Sequence, residues 1–200
     1  MAVGLTTRGR ESRERILAAA AQLFHERGVH ATSVDEVLAA SGTGKSQLYH
    51  YFPSKAELVR AVLAYQLDRL MVVQRPIFER LDTWEGIEEW FAFVLDFHRS
   101  RDLLGGCPIG SLAAEMADWD DELRVALAET FSDWESYLAR GLKAMRRRGD
   151  LRPDARPKVM AETTLAMMQG GILLATTKKQ LSTLEATLGA ILTYLRSFAP

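Results

Sequence analysis

The stretch Ser41 to Phe52 reads SGTGKSQLYHYF, and Pro53 follows it. Proline cannot continue a helix, because it lacks the amide proton and its ring meets the preceding turn. On the other side, Gly42-Thr43-Gly44 breaks whatever precedes it. Any helix between these limits has about two turns. A helix that short is not stable by itself and needs neighbours to hold it. The neighbours are written beside it. Ser33 and Glu36 have capping-box spacing, and Val34, Val37 and Leu38 supply a buried face for a second short helix. Ser54 and Glu57 repeat the box and open a long helix carrying Leu58, Val59, Val62, Leu63, Leu67 and Leu70, which fades near Pro76. Two short helices joined by a glycine turn, between longer ones, make a helix-turn-helix.

The rest of the chain is helical in the same sense. Before about Ser12 the sequence looks frayed; from Ser12 to Arg27, Ile16, Leu17, Ala20, Leu23 and Phe24 form one stripe, and Gly28 ends it. Helices are then expected over Trp84 to Arg99, Pro108 to Ala117, from an Asp120 or Asp121 cap to Arg148, over Pro157 to Thr177 and over Ser182 to Phe198. No strand-like alternation is sustained, so the expected class is all-α. We expect an N-terminal three-helix unit containing the helix-turn-helix at 10–68 and a larger C-terminal helical unit at 69–200.

Composition limits the function classes. Of 200 residues, 48% are hydrophobic and 26% charged, enough for a substantial core, and the net charge is −1. Residues 1–60 carry eight Lys/Arg against six Asp/Glu, a mild basic surplus for a nucleic-acid binder. The single cysteine, Cys107, excludes an internal disulfide. No secretory apolar core and no membrane-length apolar run is present, so a cytoplasmic chain without a membrane partner is expected. GxSxG and HExxH are absent, and Asp118, Asp120, Asp121 and Glu122 read as a solvated helix start rather than a catalytic set. His25, His30, His50 and His98 offer no pair at ligand spacing on one helix face. No catalytic residue, metal site or cofactor is expected.

Gly44-Lys45-Ser46 fits the end of a nucleotide phosphate loop, but that pattern begins with glycine where this chain has Ala39, and it follows a strand. The short helix instead suits a DNA groove. Leu48 and Phe52 face inward. Lys45, Ser46, Gln47, Tyr49, His50 and Tyr51 face outward, with Lys45, Ser46 and Gln47 at the helix end that reaches base edges. Gln47 suits adenine, and Lys45 a guanine or a phosphate. Tyr49, His50 and Tyr51 suit phosphates or thymine methyls. The plainer alternatives are core packing for Tyr49, a surface histidine for His50 and a solvated charge for Lys55.

The run TSVDEVLAASGTGKSQLYHYFPSKAEL resembles the DNA-binding domain of the TetR family of transcriptional repressors. The matching features are Phe24 and Gly28, Thr32-Ser33-Val34, Ala40-Ser41-Gly42, Leu48-Tyr49-His50-Tyr51-Phe52 and Pro53-Ser54-Lys55. They cover roughly residues 10 to 60. One departure is Gly44, where the family commonly has a serine cap. The resemblance implies phosphate anchors at Ser33, Lys55 and Thr43. It also implies a C-terminal domain that forms a homodimer and binds a small-molecule effector. Gly105 to Leu112 is similar to a segment in the LmrA- and YxaF-type subgroup, which includes repressors of multidrug efflux.

The sequence offers material for both C-terminal roles. Gly170-Gly171 inside a helix costs about 1 kcal/mol per residue relative to alanine, which close helix approach offsets. Leu165, Met168, Gly171 and Leu174, with Leu184, Leu188, Ile191 and Leu195, therefore suit a four-helix dimer interface; an internal packing face is the alternative. Trp90, Phe91, Val94, Met116, Trp119, Phe131, Trp134, Tyr137 and Met167 suit a cavity for a hydrophobic or aromatic ligand, or plain core. Cys107 stands at a helix start, where a thiol is either activated for electrophile sensing or simply buried. The remaining alternative is a helical interaction module without DNA binding.

Overall fold

The computed structural model describes residues 6–200. Among them are nine helices and no strand: α1 (Thr7–Arg27), α2 (Val34–Ser41), α3 (Lys45–Tyr51), α4 (Lys55–Phe78), α5 (Trp84–Arg99), α6 (Pro108–Met116), α7 (Asp121–Arg148), α8 (Pro157–Lys178) and α9 (Leu181–Arg196). The start differs from expectation. Helix α1 begins at Thr7, five residues before Ser12, because the Thr6 hydroxyl accepts from Gly9 N and caps it. The frayed start expected before Ser12 is therefore helical from Thr7; its part at residues 1–5 lies outside the described residues.

The first four helices form one small core. Ile16, Leu17, Ala20 and Phe24 of α1 meet Val37, Leu48 and Phe52, and the first turns of α4 close the cluster with Leu58, Val59 and Val62, all at most 6% exposed. Helix α4 continues through Pro76, which sits inside it, to Phe78. It thereby leaves the N-terminal unit and joins the second one.

There α4 packs against α5, α6 and α7, while α8 and α9 lie against each other and against α7 and α5. The far end of α4 is pinned. A Cβ on Gly86 of α5 would lie 1.8 Å from the Arg80 carbonyl oxygen, and one on Gly141 of α7 would lie 2.2 Å from the Leu81 carbonyl oxygen. Only glycine admits that backbone approach at either helix.

The core is contiguous across both units. Three links tie them at the surface. The Glu115 carboxylate of α6 accepts from Val29 N at 2.8 Å and His30 N at 2.6 Å in the α1–α2 turn. Arg60 of α4 pairs with Asp120 at 3.0 Å and Glu122 at 2.8 Å. The His30 and Trp119 rings lie 4.0 Å apart.

Candidate nucleic-acid interface

Helix α2 is held at both ends by its own sequence. Ser33 Oγ accepts from Glu36 N, and the Glu36 carboxylate accepts from Ser33 N, the complete capping box. The Ser33 N–H and then the Ser33 hydroxyl, both donating to the Glu36 carboxylate, lower its pKa. Gly42 at φ 63° takes the left-handed turn that ends the helix, and its N–H bonds to Leu38 O. Ser41 Oγ and Thr43 Oγ1 are 2.7 Å apart and brace the turn.

Helix α3 then runs seven residues from a bare cap. Gly44 is extended and gives no side-chain bond to the helix start. Leu48 and Phe52 are 1% and 2% exposed and anchor α3 to the core. Lys45, Ser46, Tyr49 and His50 are exposed, while Gln47 and Tyr51 are half-buried. Tyr49 is 42% exposed, which removes the core-packing alternative for it. Lys45, Ser46, Tyr49 and His50, at i, i+1, i+4 and i+5, share one side of α3. That side carries no acidic residue.

Helix α4 starts from Ser54, whose hydroxyl accepts from Glu57 N. Half of the expected second box is formed. Lys55 stands half-buried at its first position. Ser33 is exposed, but its hydroxyl also donates to Glu36 at 2.8 Å, so a phosphate would compete with that carboxylate. Thr43 is half-buried in the turn. Arg13 of α1, which the sequence reading passed over, lies over the Phe52 ring at 5.3 Å.

A chain with this surface falls under a known description. Residues 16–62 match "Bacterial regulatory proteins, tetR family", and residues 84–191 match "Tetracyclin repressor-like, C-terminal domain". The chain belongs to the TetR family of transcriptional regulators. It is 32% identical to the regulator YxaF of Bacillus subtilis over 88% of this chain and 90% of that one. It is 29% identical to the B. subtilis regulator LmrA, over 84% and 88%. A TetR transcriptional regulator from Chloroflexus aurantiacus, solved by crystallography, superposes with a TM-score of 0.80 at 28% identity, covering 97% of this chain and 98% of the other. This TetR-family chain is thus a regulator with a helix-turn-helix, and its relatives are regulators rather than enzymes.

The second unit of this TetR-family protein holds a small chamber of about 50 Å3, lined by Leu70, Gln74, Trp90, Phe93, Val94, Phe97, His98, Cys107, Pro108, Trp134, Leu165, Met168, Gln169 and Ile172. Of the nine expected lining residues, Trp90, Val94 and Trp134 are there. Phe91 packs on Trp90, Tyr137 stacks on Phe78 at 4.8 Å, and Phe131 leans on Trp134. Met116 is buried at the end of α6, and Met167 sits half-buried on α8. Trp119 is 71% exposed against His30. Hydrophobic character alone does not distinguish a wall from the core behind it.

The proposed interface set also divides. Leu184, Leu188, Ile191 and Leu195 are at most 6% exposed inside one chain, so they cannot meet a partner. Leu165 and Met168 face the chamber. Gly171 is taken up by Thr187 of α9, whose side chain would stand 2.7 Å from an added Cβ. Leu174 alone of the eight is exposed, at 48%. The α8–α9 contact is intramolecular, and the outer side of the pair is free.

In the chamber, the Gln74 side chain accepts from Trp90 Nε1 at 3.1 Å. Cys107 caps α6 by accepting from Gly110 N, and Gln169 reaches its sulfur. Burial raises the thiol pKa and outweighs these bonds. Of the two alternatives for Cys107, the buried one describes it. His98 is pushed down to about 4, first by burial, then by Arg101 and His25. No helix is long and apolar enough to cross a membrane, and no group of three or more His, Cys, Asp or Glu residues suits a metal, both among the described residues.

Proposed function

We propose that the protein is a repressor that binds a palindromic operator as a homodimer and is released by a small hydrophobic or aromatic effector. One observation carries the DNA half. Helix α3 presents Lys45, Ser46, Tyr49 and His50 outward while Leu48 and Phe52 fix it to the core. A stub of helix held by two inward residues, with its polar side open, is the form that fits the major groove. Lys45, Ser46 and Gln47 read bases in this proposal; Tyr49, His50, Tyr51, Lys55, Thr43 and Ser33 hold the backbone. DNA as the partner implies the cytoplasm. The domain division at 10–68 and 69–200 is retained as a proposal.

The dimer rests on the outer side of α8 and α9. Val159, Ala166, Leu173 and Leu174 of α8 are exposed, with Ala186 and Ala190 beside them on α9. Added Cβ atoms on Gly170 and Gly189 would meet nothing within 4 Å. Small and apolar residues on an open face suit a two-fold helix pairing.

Release requires that the effector prefer one dimer geometry, because equal affinity for both shifts nothing. Helix α4 is the connection, from Ser54 at the DNA-binding unit to the chamber wall at Leu70 and Gln74. Selection from random duplex DNA tests the reading. The expected product is an inverted repeat with half-sites roughly 34–36 Å apart. Recovery of no enriched sequence, with binding insensitive to salt, supports the interaction-module alternative instead. Unchanged operator affinity with ligands shown to occupy the chamber rejects the switch.

A further inference from the structure

Beside the chamber lies a much larger cleft of about 940 Å3, between the two units. Its walls come from α1, α4, α5 and the loop before α6, so it includes residues of the DNA-binding half such as Gln22 and His25. Leu70, Phe93, Phe97 and Pro108 line both spaces, which therefore meet across one apolar partition. The chamber end is largely apolar and aromatic. The Trp134 indole N–H there is buried without an acceptor.

The cleft end is cationic. Arg69 and Arg101 both line it. Arg69 donates to Tyr65 Oη at 3.0 Å and lies over that ring, and Arg101 lies over Phe97 at 5.2 Å. Neither is among the ion pairs of the described residues, although Arg60, Arg99, Arg124 and Arg148 all have carboxylate partners. The one carboxylate in the cleft, Glu26, accepts from Gln22 at 2.9 Å. Two guanidiniums are thus set on aromatic faces, with their outward donors uncommitted to any carboxylate, above an apolar recess. The other titratable groups in the cleft are Tyr65 and His25, whose pKa is lowered first by burial and then by Arg101. No further cation is needed to bind an anion and no further anion opposes one.

We propose that cleft and chamber form one site for an amphiphilic anion: a flat apolar body passing Phe93 and Phe97 toward Trp90 and Trp134, with its acidic group at Arg69 and Arg101. The inference deepens the effector reading and rests on it. It also gives the effector a hold on α4 through Arg69 and on α5 through Phe93 and Phe97. Guanidinium recognises a carboxylate or sulfonate with paired donors, and Arg69 and Arg101 are both exposed and open to an incoming anion.

A matched pair of probes tests this on the full-length protein. 8-Anilino-1-naphthalenesulfonate and N-phenyl-1-naphthylamine share one ring system and differ in the anionic group. The expected result is about tenfold tighter binding of the sulfonate at low salt, an advantage that shrinks as ions screen the charges. In R69Q/R101Q the advantage falls below about twofold with the neutral probe unaffected, and R69K/R101K recovers part of it. Circular dichroism establishes that the variants are folded. Met168→Trp, which fills the chamber, weakens both probes. Equal binding of the two probes, or a preference that survives R69Q/R101Q, overturns the proposal. Operator selection reads the repressor assignment separately: anion preference without DNA binding sinks that assignment alone, and DNA binding without anion preference sinks this one alone.

Discussion

At the residue scale, Gln47 and Leu48 are neighbours with opposite duties. Gln47→Ala removes a polar tip from the groove side and nothing from the core. Operator discrimination at one base position should fall by about 1–3 kcal/mol, with the melting temperature unchanged. Leu48 is 1% exposed. Leu48→Ala should cost about 2–5 kcal/mol of stability and lose all operator sequences together. Binding-site selection beside thermal melting separates the two. His98 makes a prediction about acid. Its folded pKa, about 4, lies below the ordinary 6.5. Between those values the unfolded chain binds the proton more readily, so stability is complete above about pH 6.5 and is lost as pH falls toward 4. The loss attributable to His98 is on the order of 3 kcal/mol. Melting followed from pH 7 to pH 4.5 should show this slope, and His98→Gln should flatten it.

At the element scale, α3 is the weakest-held helix. It has seven residues and an N-terminus without a side-chain bond. Gly44 has an ordinary extended conformation and open space where a Cβ would go. Gly44→Ser should therefore supply the missing cap and stabilise α3 by a few tenths of a kcal/mol. Slower amide exchange at Gln47 and Leu48 would register it; unchanged exchange would show that the free end was already satisfied. Most element boundaries were legible because their signals are local: Ser33 with Glu36, Gly42 and Pro53. The start of α1 was not, since Thr6 and Thr7 carry no apolar stripe and the cap is a single hydroxyl. Leu184, Leu188, Ile191 and Leu195 were readable as one buried stripe, but periodicity does not say whether the covering helix belongs to the same chain. Glu115 was invisible for a related reason. Its bonds to Val29 and His30 span more than eighty positions, and no spacing rule reaches that far.

At the scale of the molecule, two copies should pair through the open side of α8 and α9. Leu174→Arg places charge there without touching the core, since Leu174 is 48% exposed. Sedimentation should show a folded monomer, and operator affinity should fall steeply because the second recognition helix is no longer tethered. A dimer that persists would move the interface elsewhere. The acidic corner at 118–122 was read from sequence as solvated. Asp120, one of the two expected caps, does cap α7, and it also pairs with Arg60, which lowers the carboxyl pKa and raises that of the guanidinium. That corner is where the second unit holds the first.

The contact of Gly86 and Gly141 with the backbone at Arg80 and Leu81 leaves no slack at that end of α4. A rod clamped at one tip transmits rotation as distance. Helix α4 has 24 residues and a length of about 36 Å, so a tilt of about 5° displaces its opposite tip by about 3 Å. That is nearly one base-pair step, which is enough to put the reading heads of a paired assembly out of phase with the duplex.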